Sequence, residues 1–508
     1  MTNPKILTMY LPQFHRVPEN DLWWGEGFTD WESAKLARPL FDNHYQPRVP
    51  LNKNYYNLLE KSTMEFQASL MKNYHVYGMC FYHYYFEKGK RILEKPAENL
   101  LKWSDIDMPF CFSWANESWA RTWSNIRNKN TWNLLADNIC IENKDDKDNG
   151  VLLRQVYGEV EEWRSHFYYL LPFFRDGRYI RINNKPMFII YKTNDISCLD
   201  EMVKCWNEMA RKEGLDGVYF ISTYSINDVC DATLLQEPQY SMRYCRGGKS
   251  IDSVKALIDY DEVCKISANL KFNKENIIYL SASPGYDDTP RRGADGTVLY
   301  NSSPQKFEKY LRTVIKNSQA RNNEFVFVNA WNEWGEGMYL EPDEKYGYGY
   351  LEAVKNAIEH PDGDLIPYDY TNVVQSVDEF AINSAFDRAN GFWRVLDKWL
   401  TVRERGESIS AYLINNGYDK IAIYGLGMLG QHLISDCKEN KLCISYGIDK
   451  KWKTMKFDFP VKGIEDTLPR VKIIIVTVMY DFLSIKRELK NRISCEIVSV
   501  EEVLDKIL

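Results

Sequence analysis

The stretch Glu324–Gly337, EFVFVNAWNEWGEG, changes character half-way. Glu324–Trp331 is apolar, β-branched and aromatic, as expected for a strand buried on both faces. It then breaks into Asn332, Glu333, Trp334, Gly335 and Glu336. A buried strand that ends in two carboxylates and a glycine resembles the mouth of a parallel barrel, where chemistry sits at the carboxyl ends of the strands.

Seven comparable runs precede it: Lys5–Tyr10, Val76–Tyr84, Met108–Trp114, Pro186–Tyr191, Gly217–Thr223, Ala232–Gln236 and Asn276–Ala282. The run at Ala232 is the weakest. Helical patterns lie between most of them, at Lys61–Tyr74, Leu152–Arg175, Asp200–Glu213, Pro304–Asn317 and Tyr350–His360. Eight strands alternating with helices predict an α/β chain folded as a (β/α)8, TIM-like barrel over residues 1–362; an open doubly wound sheet is the alternative. The barrel reading brings one set of strand ends together. Tyr10, His83, Trp114, Asn116, Glu117, Tyr191, Tyr224, Asp287, Arg291, Trp331, Asn332 and Trp334 become candidate substrate contacts around Glu333 and Glu336. Trp31 joins them from the aromatic first loop, which also holds Trp23, Trp24 and Phe28 and is equally readable as a small loop core.

Side chains alternate along a strand. Phe325, Phe327, Asn329, Trp331 and Glu333 would therefore share one face, which would bring Glu333 out at the top of the lumen. Gly335 would let Glu336 return to the same space. Paired carboxyls in an aromatic cleft suit glycosidic chemistry, in which one donates a proton to the leaving oxygen and the other acts as base or nucleophile. The pattern does not choose between retention and inversion. Solvated loop carboxylates are the plain alternative.

Composition narrows the function classes. Of 508 residues, 14% are aromatic, including 15 Trp and 34 Tyr, which suits either a large aromatic core or rings stacked on sugars. The formal net charge is −7 with no basic block, so nucleic acid is not an expected partner. No apolar run approaches a membrane span. The first residues show no secretory pattern, and the 11 Cys lack C-x-x-C spacing. Reduced thiols in a cytoplasmic protein are the expectation, with no metal site.

Residues 363–405 read as a connector. Residues 406–508 read as a small Rossmann-like α/β domain. There Gly425, Gly427 and Gly430 form G-x-G-x-x-G between a strand and a helix, and Asp449 follows 19 residues after the last glycine. That is the setting for a nucleotide or nucleotide-sugar, with the phosphate at the helix start. A docking or oligomerisation role is the other reading.

The stretch WNEWGEG at Trp331–Gly337 resembles the catalytic motif of family 99 glycoside hydrolases, the endo-α-mannosidase type. YLPQFHRVPENDLWWGEGFTDW from Tyr10, HYQPRVP from His44, FSWANESWARTW from Phe112 and SPGYDDTPRRG from Ser283 resemble the bacterial WbsX group of polysaccharide-biosynthesis proteins. The resemblance implies a (β/α)8 barrel that acts, without a cofactor, on α-mannoside-like or other surface-polysaccharide linkages, whether O-antigen, capsule or lipopolysaccharide. The partner would be a glycan or lipid-linked oligosaccharide. It also implies that Glu333 deprotonates the sugar's own 2-hydroxyl, which attacks the anomeric carbon, while Glu336 is general acid and base. Tyr10, Tyr191 and Tyr224 would touch sugar. Members of the WbsX group are often called glycosyltransferases, so transfer from a nucleotide-sugar stays open. In that case Arg291 or Arg292 would meet phosphate; an Asp–Arg ion pair ordering the loop is the alternative. A non-catalytic glycan-binding scaffold is a third reading.

Overall fold

The computed structural model describes residues 3–120, 151–153, 155–196, 198–245, 249–251, 253–270, 277–368, 395–449, 452–478, 482–490 and 492–508. The end of the FSWANESWARTW stretch and most of the predicted connector lie outside the described residues. The chain divides into two compact units, Met1–Asp378 and Glu379–Leu508.

The first unit is a closed parallel barrel. Its strands are β1 (Lys5–Tyr10), β2 (Val76–Tyr85), β3 (Phe110–Trp114), β4 (Lys185–Ile190), β5 (Tyr219–Thr223), β6 (Ala232–Leu234), β7 and β8 (Phe325–Val328). Strand β7 comes in two pieces, Ile278–Tyr279 and Ser281–Ala282. The first piece pairs with β6 and the second with β8. Strand β8 returns to β1, with Lys5 opposite Phe325 and Thr8 opposite Val328, which closes the ring. The open-sheet alternative is thereby excluded.

Helices α1 (Asp30–Leu36), α2 (Lys61–Asn73), α3 (Val160–Arg175), α4 (Leu199–Lys212), α5 (Pro304–Ala320) and α6 (Gly349–Glu359) belong to the same unit. Helix α5 starts where Ser303 accepts a bond from the Lys306 amide and proline takes the first helical position. The aromatic content is largely explained by the shell between strands and helices. Phe112, Phe188 and Phe220 occupy matching positions on β3, β4 and β5. They pack on Phe173 of α3 and Trp206 of α4, at ring separations of 5.1–5.9 Å. Each such burial is worth about 1.5–3 kcal/mol. Among the described residues no helix is long and apolar enough to cross a membrane.

The second unit holds a five-stranded parallel sheet: β9 (Lys420–Tyr424), β10 (Cys443–Ile448), β11 (Val461–Lys462), β12 (Ile473–Val476) and β13 (Glu496–Ser499). Their spatial order is β11-β10-β9-β12-β13. Counted within the unit, this is 3-2-1-4-5, the doubly wound order with its switch point beside β9. Helix α7 (Met428–Glu439) follows the glycine turn.

Candidate active site

Strand β8 stops at Val328, so the alternation expected to carry Glu333 into the lumen ends before reaching it. A short antiparallel pair places the motif instead, with Asn332 opposite Tyr339 and Glu333 opposite Met338. Trp334–Glu336 form the single helical turn between them, and Gly337 adopts the left-handed conformation at its end.

Three of the five polar motif side chains around this turn point down, into protein. The indole N–H groups of Trp331 and Trp334 donate to the two oxygens of Glu341, at 2.9 and 2.8 Å. Tyr56 and Gln67 donate to the same carboxylate, each at 2.8 Å. Burial pushes Glu341 up to about 7, against these four donors. Asn332 holds the end of β1 through the Leu11 amide and carbonyl, at 2.7 and 3.0 Å. All three side chains are buried, which corrects the expectation that they face a sugar.

Glu333 and Glu336 point the other way, toward one cation. Arg291, from the loop after β7, donates to Glu336 at 2.7 Å and to Glu333 at 3.0 Å. Its other edge meets Asp30 at the start of α1, at 3.3 and 3.1 Å. Close approach here requires glycine. A Cβ on Gly335 would lie 2.6 Å from the Arg291 Nε and 2.7 Å from an Asp30 oxygen. The two glutamates differ in environment. Side-chain exposure is 8% for Glu333 and 24% for Glu336. Burial, with Glu336 and Asp30 nearby, pushes Glu333 up to about 8 despite Arg291.

The loop carrying Arg291 is anchored from beneath. Asp287 accepts from Gln46 at 2.7 Å and lies 2.9 Å from the His44 ring, with its other oxygen on Thr289. These bonds hold its carboxylate below the usual range despite burial. Arg48 donates to the Gly337 carbonyl at 3.2 Å. Asp287 is therefore a buried anchor and not a substrate contact. The HYQPRVP stretch is the brace that ties the first loop to the β7 loop and the motif turn. The Asp–Arg pair expected in that loop is Arg292 with Asp288, at 3.1 Å.

The remaining predicted contacts divide. Tyr10 turns outward from β1 and donates to Gln67 of α2 at 2.7 Å. His83 also turns outward, pairs with His166 of α3 at 2.8 Å, and is held down to about 3 by burial. Trp31 donates to the Tyr56 carbonyl and Trp114 to the Tyr85 carbonyl, both rings being buried. Asn116 bonds Tyr157 and the Lys192 backbone, so it shapes the β3 and β4 ends. These five are corrections: their polar atoms are engaged in protein contacts away from the mouth. Tyr191 and Tyr224 do sit on the rim, half-buried, with hydroxyls 3.4 Å apart. Glu117 is on the rim too, paired with Lys192.

Asp30, Tyr82 and Glu341 were not among the predicted contacts. Tyr82 is half-buried and reaches across the lumen, accepting from Gln236 at the β6 end at 2.9 Å. It feels the charges of both Glu333 and Glu336. Alternation along β2 was the available signal, since His83 facing outward puts Tyr82 and Tyr84 on the inner side.

With this geometry in place, comparison with known proteins is informative. Residues 6–354 match the family described as Glycosyltransferase WbsX. The chain belongs to the WbsX family. It is thus a carbohydrate-active protein by family. The uncharacterized protein WxcX of Xanthomonas campestris pv. campestris, from two strains, is 28% identical over 366 residues, or 70% of this chain and 49% of that protein. The chain spans about half the length of the curated relatives it matches. Among solved structures, the GH99 endo-α-mannosidase from Bacteroides thetaiotaomicron is similar at 12% identity and a TM-score of 0.42, covering 71% of this chain and 98% of that one. A glycoside hydrolase-like protein is similar at 11% identity and a TM-score of 0.41, covering 70% and 94%. In this WbsX member the family match runs from within β1 to beyond β8 and includes Asp30, Arg291, Glu333 and Glu336.

The second unit has the local geometry of a glycine turn closed by an acid. Gly425 is left-handed, and its carbonyl accepts from Thr477 at 2.6 Å. A Cβ on Gly430 would lie 2.1 Å from that carbonyl, so only glycine lets α7 pack this closely. Gly427 faces open space. Asp449, at the end of β10, accepts from the Leu426 amide at 2.8 Å.

Proposed function

We propose that the barrel cleaves an α-mannoside-like bond with retention, in the metabolism of a surface polysaccharide. The observation that carries this reading is the pairing of Glu333 and Glu336 on one guanidinium at a tyrosine-lined barrel mouth. Two carboxyl groups touching adjacent nitrogens of one arginine are both within reach of a single sugar ring. In the reading, the Glu333 carboxylate takes the proton of the 2-hydroxyl. The 2-oxygen bonds to the anomeric carbon, and the departing glycosidic oxygen takes the proton of Glu336. Water, deprotonated by Glu336, then attacks the anomeric carbon, and the 2-oxygen leaves with the proton from Glu333. Burial raises Glu333 to about 8, so the carboxylate this step needs is the minor form at neutrality and grows in as pH rises toward 8. Tyr191, Tyr224 and Tyr82 would hold the sugar by ring faces and hydroxyls. The glycan, free or lipid-linked, is the substrate in this scheme, and the chain acts in the cytoplasm.

A second reading is favoured by a specific observation. The 3-2-1-4-5 order, the open position at Gly427 and Asp449 at the β10 end suit a nucleotide or nucleotide-sugar, as transfer would require.

One experiment tests both. The protein and its Glu336→Gln variant are incubated with α-mannosides and nucleotide-sugars, and products are followed by mass spectrometry. Sugar release that needs Glu336 and no nucleotide supports cleavage. Release of a nucleoside diphosphate with an extended acceptor overturns it in favour of transfer. Glycan binding that is indifferent to both glutamates would make the barrel a scaffold.

A further inference from the structure

One guanidinium here faces three carboxylates, and their arrangement around it is not equivalent. Asp30 takes Arg291 by two nitrogens, Nε and Nη2, at 3.3 and 3.1 Å. A carboxylate gripping a guanidinium at two nitrogens fixes its plane as well as its position. That plane aims Nη1 at Glu336 and Nη2 at Glu333. Nη2 carries two hydrogens and gives one to each of Asp30 and Glu333, which brings the two carboxyl groups together. The charged and titratable groups facing Glu333 are Arg291, Glu336, Asp30, Tyr82 and Tyr84. A single positive charge cannot offset three ionised carboxylates inside the protein, so the arrangement favours a proton on one of them.

We propose that Asp30 and Arg291 form one positioning unit that decides which glutamate holds a proton, Asp30 opposing and Arg291 favouring the ionised form of Glu333. The proposal rests on the reading that Glu333 works as a base, and it supplies what sets the pH at which that base becomes available. Neither residue touches the reacting sugar in this scheme; both act through the glutamates. The first loop thereby takes part in the chemistry, although Asp30 and Arg291 lie 261 positions apart in sequence.

The consequence is a pair of opposite signs. Asp30→Asn removes a nearby negative charge, so the Glu333 midpoint falls. Arg291→Met removes the favourable charge, so it rises. General damage to the site would not separate the two in this way. The test uses full-length protein carrying 13C at the glutamate δ-carboxyl, with the Glu333 signal assigned by its loss in Glu333→Gln. A fall of about one unit in Asp30→Asn and a rise of at least that in Arg291→Met are expected. Arg291→Lys keeps a charge but not the two-sided fork, and gives a smaller rise. Should Arg291→Met not fold, Asp30→Asn and Arg291→Lys still carry opposite signs. Shifts of the same sign, or no shift in Asp30→Asn, overturn the proposal. Cleavage rates separate the two ideas: opposite shifts in the signal, with rates that ignore Glu333, uphold the positioning unit and defeat Glu333 as the base.

Discussion

Replacing Gly335 with alanine adds one methyl group and removes no charge, hydrogen bond or ring. Its backbone lies outside the left-handed region, so alanine itself is not strained there. The cost falls on the neighbours, because the new Cβ would sit 2.6 Å from Arg291 Nε and 2.7 Å from Asp30. Ordinary carbon contacts need about 3.5 Å, so the Arg291–Asp30 pair must withdraw by roughly 1 Å. A displacement of that size at a site that orients reacting groups costs on the order of 100-fold in rate. That corresponds to about 2.7 kcal/mol of lost transition-state stabilisation. Overpacking costs the fold about 1–3 kcal/mol, small against the stability of a large unit. The assay is kcat/KM for Gly335→Ala on whichever glycoside the wild-type protein cleaves, beside urea unfolding of both proteins. The expected result is a folded protein with rate reduced by roughly two orders of magnitude. Wild-type kcat/KM in a folded variant would show that the arginine can retreat freely, and that its place against the glutamates does not matter.

Other outcomes follow from the same contacts. Glu341→Gln exchanges an acceptor of four buried donors for a group that must itself donate, and should destabilise the barrel by about 2–4 kcal/mol in urea unfolding followed by tryptophan fluorescence. Glu336→Gln should lower kcat by about 100-fold or more while leaving the urea midpoint near wild type, since the side chain is the more exposed of the pair. Burial raises Glu333, Glu237 and Glu341 to about 8, 7 and 7. Each folded value lies above the unfolded one, so the stability contributed is complete below the ordinary carboxylate range, declines as pH rises above that range, and is gone once pH has passed through 7–8. The barrel's urea midpoint should therefore fall between about pH 5 and pH 8 and level off above that. Gly430→Ala, whose Cβ would strike the Gly425 carbonyl at 2.1 Å, should unfold the second unit selectively, visible as loss of one of two transitions in urea.

Much of the barrel was legible because parallel strands buried on both faces leave continuous apolar runs. Even the weak run at Ala232 is a strand, reduced to Ala232–Leu234. The break in β7 at Leu280 was not legible, because nothing in the sequence NIIYLSA interrupts the apolar pattern. Within the site, Glu333 and Glu336 could be singled out because charge at a buried strand end is unusual. The tryptophans beside them were misread for a physical reason. An indole has an apolar face that suits a sugar and an N–H that suits a buried acceptor, and sequence does not say which is used. The deciding partner is Glu341, ten and seven residues further on, at no spacing that announces a contact. Tyr10 and His83 were misassigned because closeness to a strand's end says nothing about which side of the barrel a residue faces. Asp30 and Arg291 were both in view, but a pairing across two long loops leaves no periodic trace.

The motif turn has two chemical sides, and separating them explains why aromatic residues and carboxylates are interleaved in it. Below the turn, one carboxylate, Glu341, is surrounded by donors and serves as the common acceptor for Trp331 and Trp334. Above it, one donor, Arg291, is surrounded by carboxylates. The lower arrangement is satisfied by protein alone and has no vacant role, so it fixes the backbone. The upper arrangement carries more negative charge than its cation offsets, and it lies beside the half-buried rim tyrosines. A group that brings its own hydroxyl donors to this mouth relieves the excess; a group that brings phosphate adds to it. On the lower side a change should therefore appear as lost stability, and on the upper side as lost rate. Glu341→Gln and Glu336→Gln, compared in one protein preparation, place that division on a measurable footing.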